Sequence, residues 1–369
     1  TGFIVYNDWT YPNFIALLKE LGVASQPTSM SFSVRHDVTG LEYNGTTLNS
    51  LFAQRSNLVR PSFHRMLRDI VRFNREATQV YDFKEEIPLG QYLFDNRYSA
   101  EFIDNYLIPM GAAIWSTDPA RMMAFPARFF VRFFHNHGML SVNERPQWRS
   151  IAGGSARYVD KLTAPFRERI RLNTPVVSVK RLPTHMLVKT RHADAERFDY
   201  AFIASHSDQA LAMLTDASAQ EREVLGAIAY QPNEAVLHTD TSLLPRKKLA
   251  WAAWNYHVGS QQQAATLTYN MNVLQNLTSK HTFCVTLNRT GAIDPGKIIK
   301  RLRYEHPLYT PACVAAQQRQ EEINGVNRTF YCGAYWRYGF HEDGVVSALA
   351  ALQHFEDAQH AQRHLSRVA

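Results

Sequence analysis

The spacing of apolar and polar residues changes several times along the chain, and each change marks an element. Residues 10–22, TYPNFIALLKELG, read as a helix closed by Gly22, with Thr10 as its expected N-cap and Pro12 in the first turn. MSFSVRH then alternates like a strand, DVTG is a turn, and LEYNG is a short returning strand. From about residue 46 to 145 the pattern is mostly helical. Helices are expected near 61–76, 88–95 and 99–108, followed by the small and aromatic run GAAIWS and an aromatic helix, PARFFVRFFHNHG.

The pattern shifts near residue 148. WRSIAGGSARYVDKLTAPF reads as strand, Gly-Gly turn and helix, and RIRLNTPVVSVKRL with HMLVKTRH as a hairpin. RFDYAFIASHS is a strand and DQALAML a helix capped by Ser207 or Asp208. This is alternating α/β material. From 233 to 290, NEAVLHTD, LAWAAWNYHV, AATLTYNMNVL and HTFCVTLNRT are strand after strand, which predicts an antiparallel sheet. A helix is expected near 295–303, and TPACVAAQQRQEEI as helical or irregular. FYCGAYWRYGFHEDGVVSALAAL, from Phe330 to Leu352, reads as a short strand, a glycine-hinged turn and the start of a buried helix. The predicted fold class is mixed α/β, with the two kinds of segment interleaved.

Composition narrows the class. The chain has 369 residues, 20% charged and 45% hydrophobic, as in a soluble globular protein of one large or two ordinary domains. No apolar run approaches the roughly 18–20 residues that span a bilayer. TGFIVYNDW has no basic region or signal-like core, so a cytoplasmic protein is expected; lacking an initiator Met, the chain reads as processed or truncated. Cys284, Cys313 and Cys332 have neither metal nor redox spacing and read as small core residues of a reduced protein. The net charge is +7. Arg65, Arg68, Arg72 and Arg75 recur at three- and four-residue steps on one helix face. Such a helix can lie peripherally on an anionic membrane, while the simpler reading is a solvated face over a core. No nucleic-acid-binding motif accompanies the charge.

The chemistry centres on Phe330–Leu352. The first amides of a helix have no intrahelical partner. Asp343 can cap them, with Gly344 allowing close backbone approach. Alternatively the amides face a ligand, and two carboxylates make a dianionic phosphate an awkward guest there. A neutral ring that gains negative charge during reaction suits the site better. Elsewhere, His135 and His137 flank Asn136 without the further ligands a metal needs, so no metal is expected. Ser205, His206, Ser207 and Asp208 look triad-like by type, yet read as a loop ending a strand.

These segments resemble the flavin-containing amine oxidoreductase superfamily, which includes amine oxidases and phytoene-type desaturases. More narrowly, they resemble bacterial predicted FAD-binding proteins related to it. TGFIVYNDWTYPNFIALLKELGV is similar to the segment where a Gly-containing turn passes the flavin, which would make Gly2 a contact. IAGGSARYVDKL resembles the Gly-Gly turn and helix, and RLNTPVVSVKR the strand pair in which Val176 would meet the adenosine half through its backbone. YCGAYWRYGFHEDGVVSALAA resembles the C-terminal flavin-binding strand–turn–helix, which implies cofactor contacts at Gly333, Ala334, Glu342, Asp343, Gly344 and Val345. The resemblance implies a Rossmann-like FAD domain, incomplete at its N-terminus, interleaved with a substrate domain. Residues 1–29 would be a flavin-adjacent segment and helix, 30–145 and 216–319 the two parts of the substrate domain, and 146–215 and 320–369 parts of the FAD domain.

The resemblance further implies non-covalent FAD and hydride transfer from a small apolar substrate, of fatty-acyl or lipid type. His341, Trp254, Asn255 and Tyr269 are the expected residues at the chemistry, with aromatic lining from 129–134 and 251–256. The family's opening GxGxxG unit has no counterpart in this sequence, which begins just where that unit should end. No Lys in the central strands stands where amine oxidases carry one near the flavin, which counts against a plain amine. Two other readings stay open. One is a non-redox flavin isomerase or mutase, with Arg128, Arg132 or Arg149 as phosphate clamps. The other is a cofactor-free lipid-binding fragment.

Overall fold

The structure is a computed structural model that describes residues 4–259 and 264–368, with side chains through residue 360. The chain forms two compact units that alternate along the sequence: residues 1–10, 22–157 and 231–306 make the first, and residues 11–21, 158–230 and 307–369 the second.

The first unit is built on a seven-stranded sheet. Its spatial order is Ile298–Pro307, Tyr230–His238, Cys284–Leu287, Leu267–Asn270, Trp254–Val258, Phe32–His36 and Glu42–Asn44. The expected turn and returning strand are present, with Val34 opposite Tyr43. The sheet is not purely antiparallel: Trp254–Val258 runs parallel to Phe32–His36. These two strands lie far apart in sequence, so no hairpin dictates their direction. Ala253, Met271, Leu274, Val285 and Leu287 form the core on one side.

The helix expected near 295–303 is instead a short 3-10 turn, Pro295–Lys297, leading into the strand Ile298–Pro307. Leu302 and Tyr304 pack on the sheet core while Arg301 and Arg303 face solvent, a period of two that favours a strand.

Helices occupy residues 48–136 of this unit. Pro61–Glu76 buries Phe63, Met66 and Phe73. Its arginines divide: Arg65 pairs with Glu101, and Arg72 lies 4.0 Å over the Tyr98 ring, while Arg68 and Arg75 are exposed. Ala100–Phe102 continues through a π turn, Ile103–Leu107, into Ile108–Trp115. Pro109 has no amide to offer the Asn105 carbonyl, and the Tyr43 hydroxyl donates to that carbonyl instead, at 2.7 Å. Ala127–Asn136 buries Phe130, Phe133 and Phe134, and Trp115 meets Phe133 at 4.8 Å between ring centroids. Among the described residues no helix is long and apolar enough to cross a membrane.

The second unit pairs Ala201–Ile203 with Thr329–Tyr331 in parallel. A separate antiparallel sheet joins Val176–Arg181, Met186–Thr190 and Glu196–Phe198. Ser207–Met213 is N-capped by His206, not by Ser207 or Asp208. The Ser207 hydroxyl is committed to the Ile228 carbonyl, and the His206 ring stacks on Tyr230 at 4.3 Å. The last helix, His341–Val368, packs Ala351 and Phe355 around Phe330 and Cys332. It is not buried all round, since Leu349 and Leu352 are about half exposed.

A buried charge network ties this unit together. Arg181 Nη1 and Nη2 donate to the Glu221 carboxylate at 2.7 and 2.8 Å, and its Nε donates to Asp216 at 2.8 Å. The Tyr331 hydroxyl donates to Glu221 at 2.6 Å. Burial alone would raise the Glu221 pKa, but the bonds from Arg181, Tyr331 and the Ser218 amide outweigh it and hold the carboxyl at about 2. Arg181→Met leaves that carboxylate buried without its main partner. Urea unfolding should show a loss of about 3–5 kcal/mol, and adding Glu221→Gln should restore part of it.

Candidate functional site

The two carboxylates at the start of the last helix are bonded to amides of the protein itself. Glu342 Oε1 accepts from the Asn13 amide at 3.1 Å and its side-chain nitrogen at 2.6 Å, and Oε2 accepts from the Phe14 amide at 2.9 Å. Glu342 thus caps the Pro12–Glu20 helix. The N-cap position there is Tyr11, which supplies no side-chain bond, so Thr10 is not the cap. Asp343 is not an N-cap either, because the last helix already begins at His341. Its Oδ2 reaches back to accept from the Phe340 amide at 2.9 Å and the Tyr338 amide at 3.2 Å. This is the reverse half of a capping box.

Gly333 and Ser347 hold the preceding turn against this helix. The Gly333 amide donates to Ser347 Oγ at 2.8 Å, and that hydroxyl donates to the Gly344 carbonyl at 3.0 Å. A Cβ on Gly333 would collide with the Tyr335 ring, so only glycine lets that ring close over the turn. Ala334 opens the following 3-10 turn, Ala334–Trp336. A Cβ placed on Gly344 meets nothing within 4 Å, and Gly344 and Val345 are only partly buried. The backbone amides of Glu342 and Asp343 have no protein acceptor among the described residues. This first turn therefore keeps two backbone donors in reserve, as helix starts do. His341 stands beside it, 6.0 Å from the Phe14 ring. Val176 begins its strand with its side chain exposed, opposite Thr190. Gly2 lies outside the described residues.

Burial sets the protonation of this turn. Desolvation lowers the His341 pKa to about 4, so its imidazole is neutral at neutral pH. Desolvation raises Asp343 to about 6, against the opposing pull of the Phe340 amide, Arg337 and the Tyr338 amide.

The remaining predicted residues lie in the first unit. Trp254 stands directly opposite Tyr269, and their rings meet edge to face at 5.3 Å. Burial pushes the Tyr269 hydroxyl well above its ordinary pKa. Asn255 points to the opposite face of the strand. Its Oδ1 accepts from Ser33 Oγ at 2.8 Å and the Ala252 amide at 2.9 Å, and its Nδ2 donates to the Ala252 and Thr268 carbonyls. With its hydrogen-bonding capacity taken up inside the sheet, Asn255 pins the strand.

Trp254 borders a cavity of about 370 Å³. Its walls include Met30, Phe32, Tyr43, Tyr106, Met110, Met139, Val142 and Trp148, with His137 and Arg145. The aromatic run 129–134 does not contribute; those rings pack on Trp115. His137 stacks on Phe133 at 3.8 Å and bonds through Nδ1 to the Phe133 carbonyl at 2.9 Å. Burial lowers its pKa to about 4. Sequence patterning missed His137, Arg145 and the methionines, because five separated segments bring them together. The three arginines expected to clamp phosphate are engaged elsewhere. Arg128 donates to the Val80, Phe83 and Glu85 carbonyls, Arg149 to Ser25, and Arg132 lies over the Tyr81 ring. Among the described residues no cluster of side chains could hold a metal ion.

Comparison with known proteins identifies the family and the fold. The family model for flavin containing amine oxidoreductases matches residues 1–273. The search of curated proteins gave no significant match. Among solved structures, cyclohexylamine oxidase from Brevibacterium oxydans is similar over 96% of this chain and 87% of its own, with a TM-score of 0.65 at 13% identity. A fatty acid isomerase from P. acnes is similar over 96% and 86%, with a TM-score of 0.61 at 12% identity. A UDP-galactopyranose mutase is similar over 98% and 84%, with a TM-score of 0.62 at 12% identity. Such likenesses establish a shared fold.

Glu342→Ala would leave the buried Asn13 and Phe14 amides without their acceptor. The expected cost is about 2–4 kcal/mol, read as a lower urea midpoint, with Glu342→Gln retaining part of the capping. The turn also has a pH signature. As pH falls from 6.5 towards 4, unfolded His341 takes a proton that the folded residue refuses, so acidification costs stability. Asp343 acts oppositely: folded, it keeps its proton up to about pH 6, whereas unfolded it releases it near 3.8, so stability falls as pH rises through that window. His341→Gln removes the first effect alone. Its stability at pH 5 relative to pH 7.5 should exceed the same difference in the parent protein, measured by urea unfolding at both values.

Proposed function

We propose that this chain, which belongs to the flavin-containing amine oxidoreductase family, is an FAD-dependent oxidoreductase that oxidises an apolar substrate of fatty-acyl or lipid type. FAD is the cofactor of the family. The observation that carries the substrate reading is the first unit's cavity, to which three methionines and five Phe, Tyr and Trp side chains contribute beside a smaller set of polar residues. Such walls exclude water and bind by area and shape, leaving orientation to a few polar groups.

The first turn of the last helix offers the amides of Glu342 and Asp343 and open space at Gly344, and these would hold one edge of the isoalloxazine. When bound, FAD supplies the two-electron acceptor for the reaction. The chain itself supplies position, a dry enclosure and proton management. Trp254, braced by the Tyr269 ring, gives the cavity a rigid aromatic edge, and neutral His341 can accept or donate a proton without first losing a charge. Non-covalent binding is supported by Cys332, whose thiol is buried, with its pKa raised by desolvation, and so is a poor nucleophile. A sugar-nucleotide mutase is disfavoured because Arg128, Arg132 and Arg149, the candidate phosphate clamps, already serve other partners.

Anaerobic mixing of the FAD-loaded protein with apolar acyl compounds should bleach the visible flavin absorbance. Rearranged product without net electron transfer would favour the isomerase, and apolar ligand binding by protein that never retains FAD would favour the lipid-binding fragment. The helix turn gives a sharper test. Gly344→Ala adds a methyl group to open space within a helix, so it should raise the stability of the FAD-free protein by about 0.5–1 kcal/mol. The same methyl should lower FAD retention, measured as flavin absorbance per protein after desalting. Unchanged retention would remove Gly344 from the cofactor site.

A further inference from the structure

The cavity of the first unit is apolar but not electrically neutral. Among the described residues that line it, Arg145 is the only one with a permanent charge, and no Asp or Glu is present. His137, the other titratable base on the wall, is neutral near pH 7 because burial lowers its pKa. Arg145 forms no ion pair among the described residues, and its side chain is tied down only by Nε donating to the Ser141 carbonyl at 3.1 Å. That leaves the two terminal nitrogens of the guanidinium, a planar fork of donors, without a protein acceptor among the described residues. Its charge is felt on the wall: the Tyr106 hydroxyl, raised by burial, is pulled partly back by Arg145. Arg145 and Val142 are exposed, whereas Tyr43 and His137 are buried, so the charged group sits toward the solvent side of an apolar recess.

The functional reading above requires only an apolar guest. We infer, building on that reading, that the guest is an apolar carboxylic acid, its chain among Met30, Phe32, Tyr43, Met110 and Trp254 and its carboxylate paired with the Arg145 fork. A guanidinium matches a carboxylate through two parallel N–H···O bonds, which a hydroxyl or methyl ester cannot reproduce. An alkylammonium would bring a second positive charge to a recess with no anionic side chain to receive it. The charge at the mouth also sets direction: the acid enters chain first and stops where its head meets Arg145.

Calorimetric titration of the full chain with decanoate, decan-1-ol and decylamine tests this without relying on turnover. Decanoate should bind about tenfold to a hundredfold more tightly than decanol, as expected for charge-assisted hydrogen bonds. Arg145→Met should abolish that preference while leaving decanol binding unchanged, and Arg145→Lys should keep part of it. Because Arg145 is exposed and unpaired, unfolding curves of both variants should overlay the parent. Lengthening the acid from octanoate to decanoate should tighten binding about fourfold per methylene. Equal affinity for decanoate and decanol, or a preference that survives Arg145→Met, overturns the carboxylate assignment and leaves the apolar-substrate reading standing. Tightest binding of decylamine also overturns it. Failure of all three probes to bind removes the apolar cavity as a substrate site and defeats both readings.

Discussion

The second unit hangs on the contact between the Glu342 carboxylate and the open end of the Pro12–Glu20 helix. That helix starts at a proline and carries no capping side chain of its own, so its early amides must find an acceptor elsewhere. The acceptor comes from 329 residues away in sequence. One side chain thereby fastens an eleven-residue excursion, residues 11–21, into a unit otherwise made from residues 158–230 and 307–369. The neighbouring Asp343 performs the corresponding service for the turn before the last helix. The charges remain within the first turn of the last helix, where they favour its dipole, but their lone pairs are spent on backbone. What is left at that terminus is the pair of amides of Glu342 and Asp343, beside carboxylates already committed to other amides. Such a place suits a neutral ring edge that gains electron density better than a phosphate, which arrives fully charged.

The same logic separates what the sequence could reveal from what it could not. Pro61–Glu76 was legible to the residue because its boundaries are local: a proline at the start and one apolar face throughout. The Gly-Gly turn and the hairpin after it were legible for the same reason, with Gly153 and Gly154 both at positive φ, where other residues are strained. Thr10 was misread as a cap because the true partner is remote. PGKIIKRLR, residues 295–303, was misread as a helix because its few apolar residues fit either period, and only the neighbouring strand Tyr230–His238 decides between them. The run from Phe129 to Phe134 illustrates a third limit. Its apolarity was plain, but whether those rings face a void or Trp115 depends on how the helices pack.

The cavity shows how a sheet divides labour between neighbouring residues. Side chains alternate along a strand, so Trp254 and Asn255 cannot serve the same face. Asn255 spends its amide on Ser33, Ala252 and Thr268 and so locks three segments of backbone together at the end of the strand. That fixes the direction in which Trp254 projects, and Tyr269 closes on it edge to face from the next strand. A wall assembled this way is stiff where the aromatic rings stand and yielding where Met30, Met110 and Met139 stand, because an unbranched thioether adapts its rotamer to the guest. Rigid rings combined with adaptable methionines accept a range of chain shapes while excluding water. Discrimination must then come from the rim, and a recess of this composition can distinguish guests by their head groups far better than by their chains. Apolar contact differs by only about 0.8 kcal/mol for each methylene, whereas an unpaired charge drawn from water costs several times more.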